Sequence, residues 1–209
     1  MVGGRYLTTA SQLLSDGGPP DATLRPLTSS VATPDRQAVY SLNVPVPPAV
    51  ERLAEELRPQ LLDFDTLRER HSLLCKRLGD EPPGGVARLR EQVRTRLAGA
   101  PAFEARISGI DCFERPPLGE GPVVYLAVES PGLRRVHDRL VGEFSAVEEF
   151  EGDDYVPHVT LARGGGVAAE GTARRLADRK IEPVTWTVNR LALWDATYEE
   201  EVATFSLPG

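Results

Sequence analysis

The sequence predicts an α+β fold that is bilobal: two pseudo-symmetric lobes with mostly antiparallel sheets, helices on the outside and a cleft between them. Three observations predict it. Strand-like stretches alternate with helix-like ones in the order β-α-β-α-β-β-α-β-α-β-β, with two strands running on directly at two points. A tyrosine-led strand, an apolar-periodic stretch and a histidine-led strand occur twice in that order. Tyr40 leads to His71 and Tyr125 to His158, at spacings of 71 − 40 = 31 and 158 − 125 = 33. The 209 residues are 41% apolar, enough for one packed domain or two small lobes sharing a core.

Residues 1–37 carry no sustained periodicity, and their Gly-Gly-Pro-Pro-Asp (17–21) and Ser-Ser-Val-Ala-Thr-Pro-Asp (29–35) stretches favour loops. They are expected to form a mobile extension, with one short helix near Leu7–Leu14, ahead of a folded domain over 38–209. With no methionine after Met1, a valine-coded start at Val39 is an alternative reading of that boundary. Ala38–Val44 reads as a strand. Pro47 and Pro48 open a helix, since proline is tolerated in a first turn, and Val50, Leu53, Leu57 and Leu61 give its apolar stripe until Pro59 interrupts it.

His71–Leu78 is the next strand. Val86, Leu89, Val93 and Leu97 recur at helical spacing over 85–98. Phe103–Phe113 and Val123–Val128 are strands joined by the turn-rich 116–122. Ser130 caps and Pro131 starts a helix whose face is Leu133, Val136, Leu140 and Phe144. His158–Ala162 is a strand, Ala168–Arg179 a helix, and Val184–Trp194 and Glu201–Leu207 are the closing strands.

Composition excludes several classes. No apolar run approaches the ~18 residues that cross a bilayer. The first residues lack a basic region followed by an apolar one, and Cys75 and Cys112 make no disulfide framework, so a reduced, cytoplasmic setting is expected. A net charge of −7 argues against a broad nucleic-acid surface, though not against a local pocket for one phosphate.

The chemistry concentrates at the histidines. In a strand His158-Val159-Thr160-Leu161, His158 and Thr160 share one face while Val159 and Leu161 anchor the other. An imidazole takes or gives a proton near neutrality, a hydroxyl donates to a phosphate oxygen, and a guanidinium such as Arg163 holds a phosphate through two bonds. Two copies facing each other would make a site for phosphodiester chemistry. No cluster of carboxylates or thiols recommends a metal, and no cofactor is expected.

The segment Tyr155-Val-Pro-His158-Val-Thr160-Leu-Ala-Arg163, with its histidine partner at 158 − 71 = 87 residues' distance, resembles the 2H phosphoesterase superfamily. Within it, the chain is similar to the 2′-5′ RNA ligase and cyclic phosphodiesterase branch. The resemblance covers about 38–207. It implies a bilobal fold, two-histidine acid/base catalysis by His71 and His158 without metal, and phosphate contacts from Thr160 and Arg163. It also implies RNA ends bearing 2′,3′-cyclic phosphate, or 2′-5′ linkages, as substrates; the expected protein is a monomeric phosphodiesterase acting on RNA ends or small cyclic nucleotides. A 2′-5′ RNA ligase, or an RNA-end-binding module that has lost catalysis, is the alternative.

The first motif departs from the pattern. Ser72 follows His71 directly, where the family has Ser or Thr two residues on. Either a local irregularity re-aims Ser72 as a substrate-binding hydroxyl, or this lobe offers an imidazole without one. Lys76, five residues after His71 as Arg163 is after His158, is a candidate for the phosphate contact, with a surface charge the plainer reading of both Lys76 and Arg77. His137, on the apolar side of its helix, is expected to be a packed residue outside the site. Cys75 is expected to be a buried hydrophobe, and Tyr155 is a candidate for base stacking.

Overall fold

The computed structural model describes residues 40–209. The expected mobile extension, its short helix and the boundary near Val39 fall outside the described residues. Nine strands and four helices follow one another as β1 (Tyr40–Pro45), α1 (Pro48–Leu57), β2 (Thr66–Leu67), β3 (Ser72–Gly79), α2 (Gly85–Leu97), β4 (Phe103–Phe113), β5 (Val123–Glu129), α3 (Pro131–Phe144), β6 (His158–Arg163), α4 (Gly166–Ala177), β7 (Val184–Val188), β8 (Arg190–Asp195) and β9 (Glu200–Ser206).

The strands form two sheets, ordered β3-β1-β8-β9 and β2-β6-β5-β4-β7, and their ladders are antiparallel. The fold is α+β, as expected. Each sheet has a covered face and an open one. In β1, Tyr40, Leu42 and Val44 are buried and alternate with the partly exposed Ser41, Asn43 and Pro45. The apolar layers of both sheets and the helix stripes form one continuous core.

The helices begin and end for local reasons. Pro47 and Pro48 start α1, which stops at Leu57, where a single 3₁₀ turn over Arg58–Gln60 contains Pro59. Ser130 Oγ accepts from Leu133 N at 3.1 Å and donates to Glu104 O at 2.6 Å, so the cap of α3 also ties it to β4. Gly132 lets the start of α3 close on the Phe103 side chain of β4: a Cβ there would lie 2.2 Å from Phe103 Cβ. Gly132→Ala is therefore expected to lower stability by about 1–3 kcal/mol, read from urea melts, because the clash begins at Phe103 Cβ, which no change of side-chain rotamer moves away.

Two expectations need correction. Val184–Trp194 is not one strand. It breaks at Asn189, so that β7 pairs with β4 at the rim of one sheet while β8 lies between β1 and β9 in the other. The short β2, which pairs with β6 at Thr66↔Arg163 and Leu67↔Ala162, was not foreseen.

Candidate active site

His158 opens β6, and its ladder with β5 fixes which way it faces. Ala127 pairs with His158, Tyr125 with Thr160 and Val123 with Arg163. Cross-strand partners share a face. Val159 and Leu161 are buried on the other side. Strict alternation would send Arg163 to the covered face. A bulge prevents this: the register jumps between Val124 and Tyr125, leaving Leu161 without a partner on β5, and Arg163 returns to the side of His158.

The imidazole of His158 rests in an aromatic corner. Its ring centroid is 5.3 Å from Phe113 in an edge-on contact and 5.0 Å from Tyr125. Tyr125 donates its hydroxyl to Asp111, and burial first, then Asp111, pushes its pKa up, so it stays a neutral phenol. His158 Nδ1 lies 2.7 Å from Val156 O, a bond that requires the proton on Nδ1 and leaves the Nε2 lone pair free. Burial pushes the His158 pKa down, and the charges of Arg77 and Arg163 add to this against the opposing pull of the Val156 carbonyl. The imidazole is thus neutral near pH 7 and able to accept a proton at Nε2.

Cationic charge surrounds it. Arg163 feels both Arg68 and Arg77, and burial first, then these neighbours, press its pKa down; a guanidinium nonetheless stays charged. Its Nε is buried with no hydrogen-bond partner among the described residues, an orphan donor of the kind an anion satisfies. The 116–122 turn passes close by: Gly119 has φ +76°, and a Cβ there would lie 2.9 Å from Arg163 Nη1. Arg68 is placed by its backbone N–H, which donates to Leu161 O at 2.8 Å and prolongs the β2–β6 ladder. Arg77 carries its guanidinium 5.0 Å from the Phe150 ring.

On the first sheet, Ser72 pairs with Pro45, Leu74 with Asn43 and Arg77 with Ser41, all on the open face of β1. Ser72 is exposed there. His71 precedes the strand, and alternation carries it to the side of Leu73, the covered one. Its Nδ1 is 2.6 Å from Glu51 Oε2 in the first turn of α1, and its side chain is 4% exposed. The structure therefore brings His158, Thr160 and Arg163 together with Arg77, and turns His71 towards Glu51.

Lys76 does not reach the open face. It is fully buried, donating to Glu151 Oε2 at 2.5 Å and Arg77 O at 2.6 Å. Its register partner is Leu42 on the covered side, because the bulge at Cys75 reverses the parity of the strand. Tyr155 is buried too. It stacks on His137 at 3.9 Å and donates its hydroxyl to Leu74 O at 2.5 Å, so it braces β3 and its ring is not free for a base. His137 and Cys75 are buried, as expected.

Sequence reasoning set Arg77 aside as a surface charge and passed over Arg68, Phe113 and Asp111. A signal for Arg77 was present: it precedes Leu78-Gly79 much as Arg163 precedes Gly164. Aligning the repeat on arginine instead of histidine would have found it. The tyrosine anchor also shifts. Asn43 pairs with Leu74 as Tyr125 pairs with Thr160, whereas Tyr40 lies on the covered face.

The chain matches the family described as the 2′-5′ RNA ligase superfamily over residues 46–198. Among solved structures it resembles TT0787 of Thermus thermophilus, at 22% identity and a TM-score of 0.54, covering 81% of this chain and 98% of that one. It also resembles a crystal structure titled a phosphoesterase, at 15% identity and a TM-score of 0.55, over 83% of this chain and 100% of that one. E. coli LigT complexed with 3′-AMP is similar at 15% identity and a TM-score of 0.56, over 82% and 99%. No curated protein sequence matches. Among the described residues no helix is long and apolar enough to cross a membrane.

Proposed function

We propose that this chain, which belongs to the 2′-5′ RNA ligase superfamily, is a phosphoesterase that opens 2′,3′-cyclic phosphates on RNA ends or small nucleotides, with no metal ion. The observation that carries the reading is a neutral imidazole with a free Nε2, set beside a hydroxyl and a guanidinium whose buried Nε lacks a partner among the described residues. His158 takes the proton of the attacking water. Thr160 Oγ1 donates to a non-bridging phosphate oxygen, and Arg163 neutralises the charge that builds on the phosphate in the transition state. The bound 3′-AMP of the structurally similar LigT supports a nucleotide monophosphate as product or ligand. Arginines at 68, 77 and 163 favour a dianion over a divalent cation, which is the support for metal-free chemistry.

The direct test is incubation of chelator-treated protein with cytidine 2′,3′-cyclic phosphate. Conversion to a single monophosphate isomer, at the same rate with and without EDTA, is the expected result. A ligase assay on 2′-5′-joinable ends should be run on the same preparation, since the reverse reaction uses the same groups. A second reading, an RNA-end binder without turnover, is favoured by Leu74 standing opposite Asn43 where Thr160 stands opposite Tyr125. Micromolar binding of the cyclic nucleotide with no product would replace the first reading by that one.

A further inference from the structure

The two sheets carry the same device in the same register, but the sequence repeat is displaced by one residue from the structural one. In β3 the first unpaired residue along the strand is Cys75, between Leu74 and Lys76, with a second at Leu78 beyond Arg77; in β6 the unpaired residue is Leu161, between Thr160 and Ala162. Counting from the bulges, Ser72 corresponds to His158, Leu74 to Thr160 and Arg77 to Arg163 (158 − 72, 160 − 74, 163 − 77 and 161 − 75 all equal 86). By the same offset His71 corresponds to Pro157, and its ring nitrogen is already held by Glu51 at 2.6 Å. Arg77 and Arg163 are mutual electrostatic neighbours, and both act on His158.

We propose that the first sheet's half of the site is Ser72, Leu74 and Arg77, so that the chain works with one imidazole and two matched arginines, and prefers phosphoesters whose leaving oxygen needs no imidazole to protonate it. This rests on the phosphoesterase reading above. The water oxygen attacks phosphorus while its proton passes to His158 Nε2. The bond from phosphorus to the leaving oxygen breaks, its electron pair going to that oxygen. Arg77 and Arg163 hold the resulting anion until solvent protonates it, and His158 then returns its proton to solvent. A strained 2′,3′-cyclic phosphate or an aryl ester suits this sequence. An unstrained alkyl diester such as a 2′-5′ linkage does not, because its alkoxide is a poor leaving group without an acid.

The experiment compares three substrates: cytidine 2′,3′-cyclic phosphate, the p-nitrophenyl ester of uridine 3′-phosphate and a 2′-5′-linked diadenylate. The wild-type chain should turn over the first two at least ~10²-fold faster than the third, the scale of one missing acid. Its kcat/KM should rise with pH to a plateau. The Ser72→His/Leu74→Thr double variant should gain at least ~10-fold on the diadenylate and acquire a falling alkaline limb. Separately, Arg77→Ala and Arg163→Ala should each weaken cytidine 3′-monophosphate binding by ~10-fold or more, to within a factor of about three of each other. A bell-shaped wild-type profile, or His71→Gln losing turnover as fully as His158→Gln, overturns the proposal. If the wild type turns over none of the three, the phosphoesterase reading fails, and the binding arm decides the half-site alone: matched losses uphold Arg77, and an unaffected Arg77→Ala protein overturns it.

Discussion

His158→Gln is expected to lower kcat/KM on a cyclic nucleotide by ~10³-fold or more, with nucleotide affinity within about threefold of wild type. Glutamine is chosen because it is uncharged and reaches as far as the imidazole Nε2, so its bulk still fills the corner beside Phe113 and Tyr125. The substitution removes the basic nitrogen together with the single Nδ1 bond to Val156 O. Circular dichroism and thermal melts should be unchanged to within a few degrees. A variant that keeps a tenth of wild-type turnover would show that the proton goes elsewhere.

The pH dependence has a defined sign. The working form is the unprotonated ring, so kcat/KM on the free enzyme increases as pH rises through the His158 pKa and then levels. Burial, Arg77 and Arg163 push that pKa below the usual imidazole value, so the limb lies on the acid side of that value. Arg77→Ala removes one of the two cations and should move the limb towards higher pH. A limb that moves the other way would mean that Arg77 does not act on His158.

The general plan was legible because it rests on periodicities. The stripes Leu89-Val93-Leu97 and Leu133-Val136-Leu140 are buried as their spacing requires. What was not legible depends on register. In Val184–Asp195, the large buried apolar side chains stand at the even position Val188 and then at the odd positions Leu191 and Leu193, with the small Ala192 buried between them. That change of parity marks the break at Asn189, but only a structure shows that the chain changes sheets there. The same limitation governs the site. His158, Thr160 and Arg163 were identified as a group, although the alternation used to place them would have sent Arg163 the wrong way. The bulge at Leu161 that restores it leaves no mark in composition. On the first strand the bulge at Cys75 buries Lys76 and exposes Arg77, the reverse of what counting from His71 suggests. A histidine draws attention for its chemistry, and the repeat was aligned on it. The fold aligns on the bulge.

Glu151→Ala is expected to lower stability by about 3–5 kcal/mol, because it leaves the Lys76 ammonium buried with no counter-charge. Lys76 is 0% exposed and the Glu151 side chain 1%. The carboxylate also serves two backbone donors: Arg77 N reaches Oε1 at 2.8 Å and Val147 N reaches Oε2 at 2.9 Å. Losing it orphans an ammonium and two amides at once. Lys76→Met/Glu151→Gln should be less destabilised than the single alanine variant, since the side-chain amide oxygen still accepts and no buried charge is left unpaired. Urea denaturation of the two proteins checks this ordering; equal losses would mean that the lost charge is not the dominant cost. The consequence reaches the site. Glu151 fastens the segment leading to His158 against β3 at Arg77, and two further bonds reinforce the join. His137 Nε2 accepts from Gly152 N at 2.9 Å while its Nδ1 donates to Cys75 O at 2.8 Å, and Tyr155 OH donates to Leu74 O. Those contacts meet β3 at Leu74, Cys75, Lys76 and Arg77, across the bulge that aims Arg77. The folded fraction of Glu151→Ala should therefore bind cytidine 3′-monophosphate more weakly than wild type, with the Arg77→Ala substitution adding little further loss. Full additivity of the two would show that Glu151 stabilises the fold without positioning Arg77.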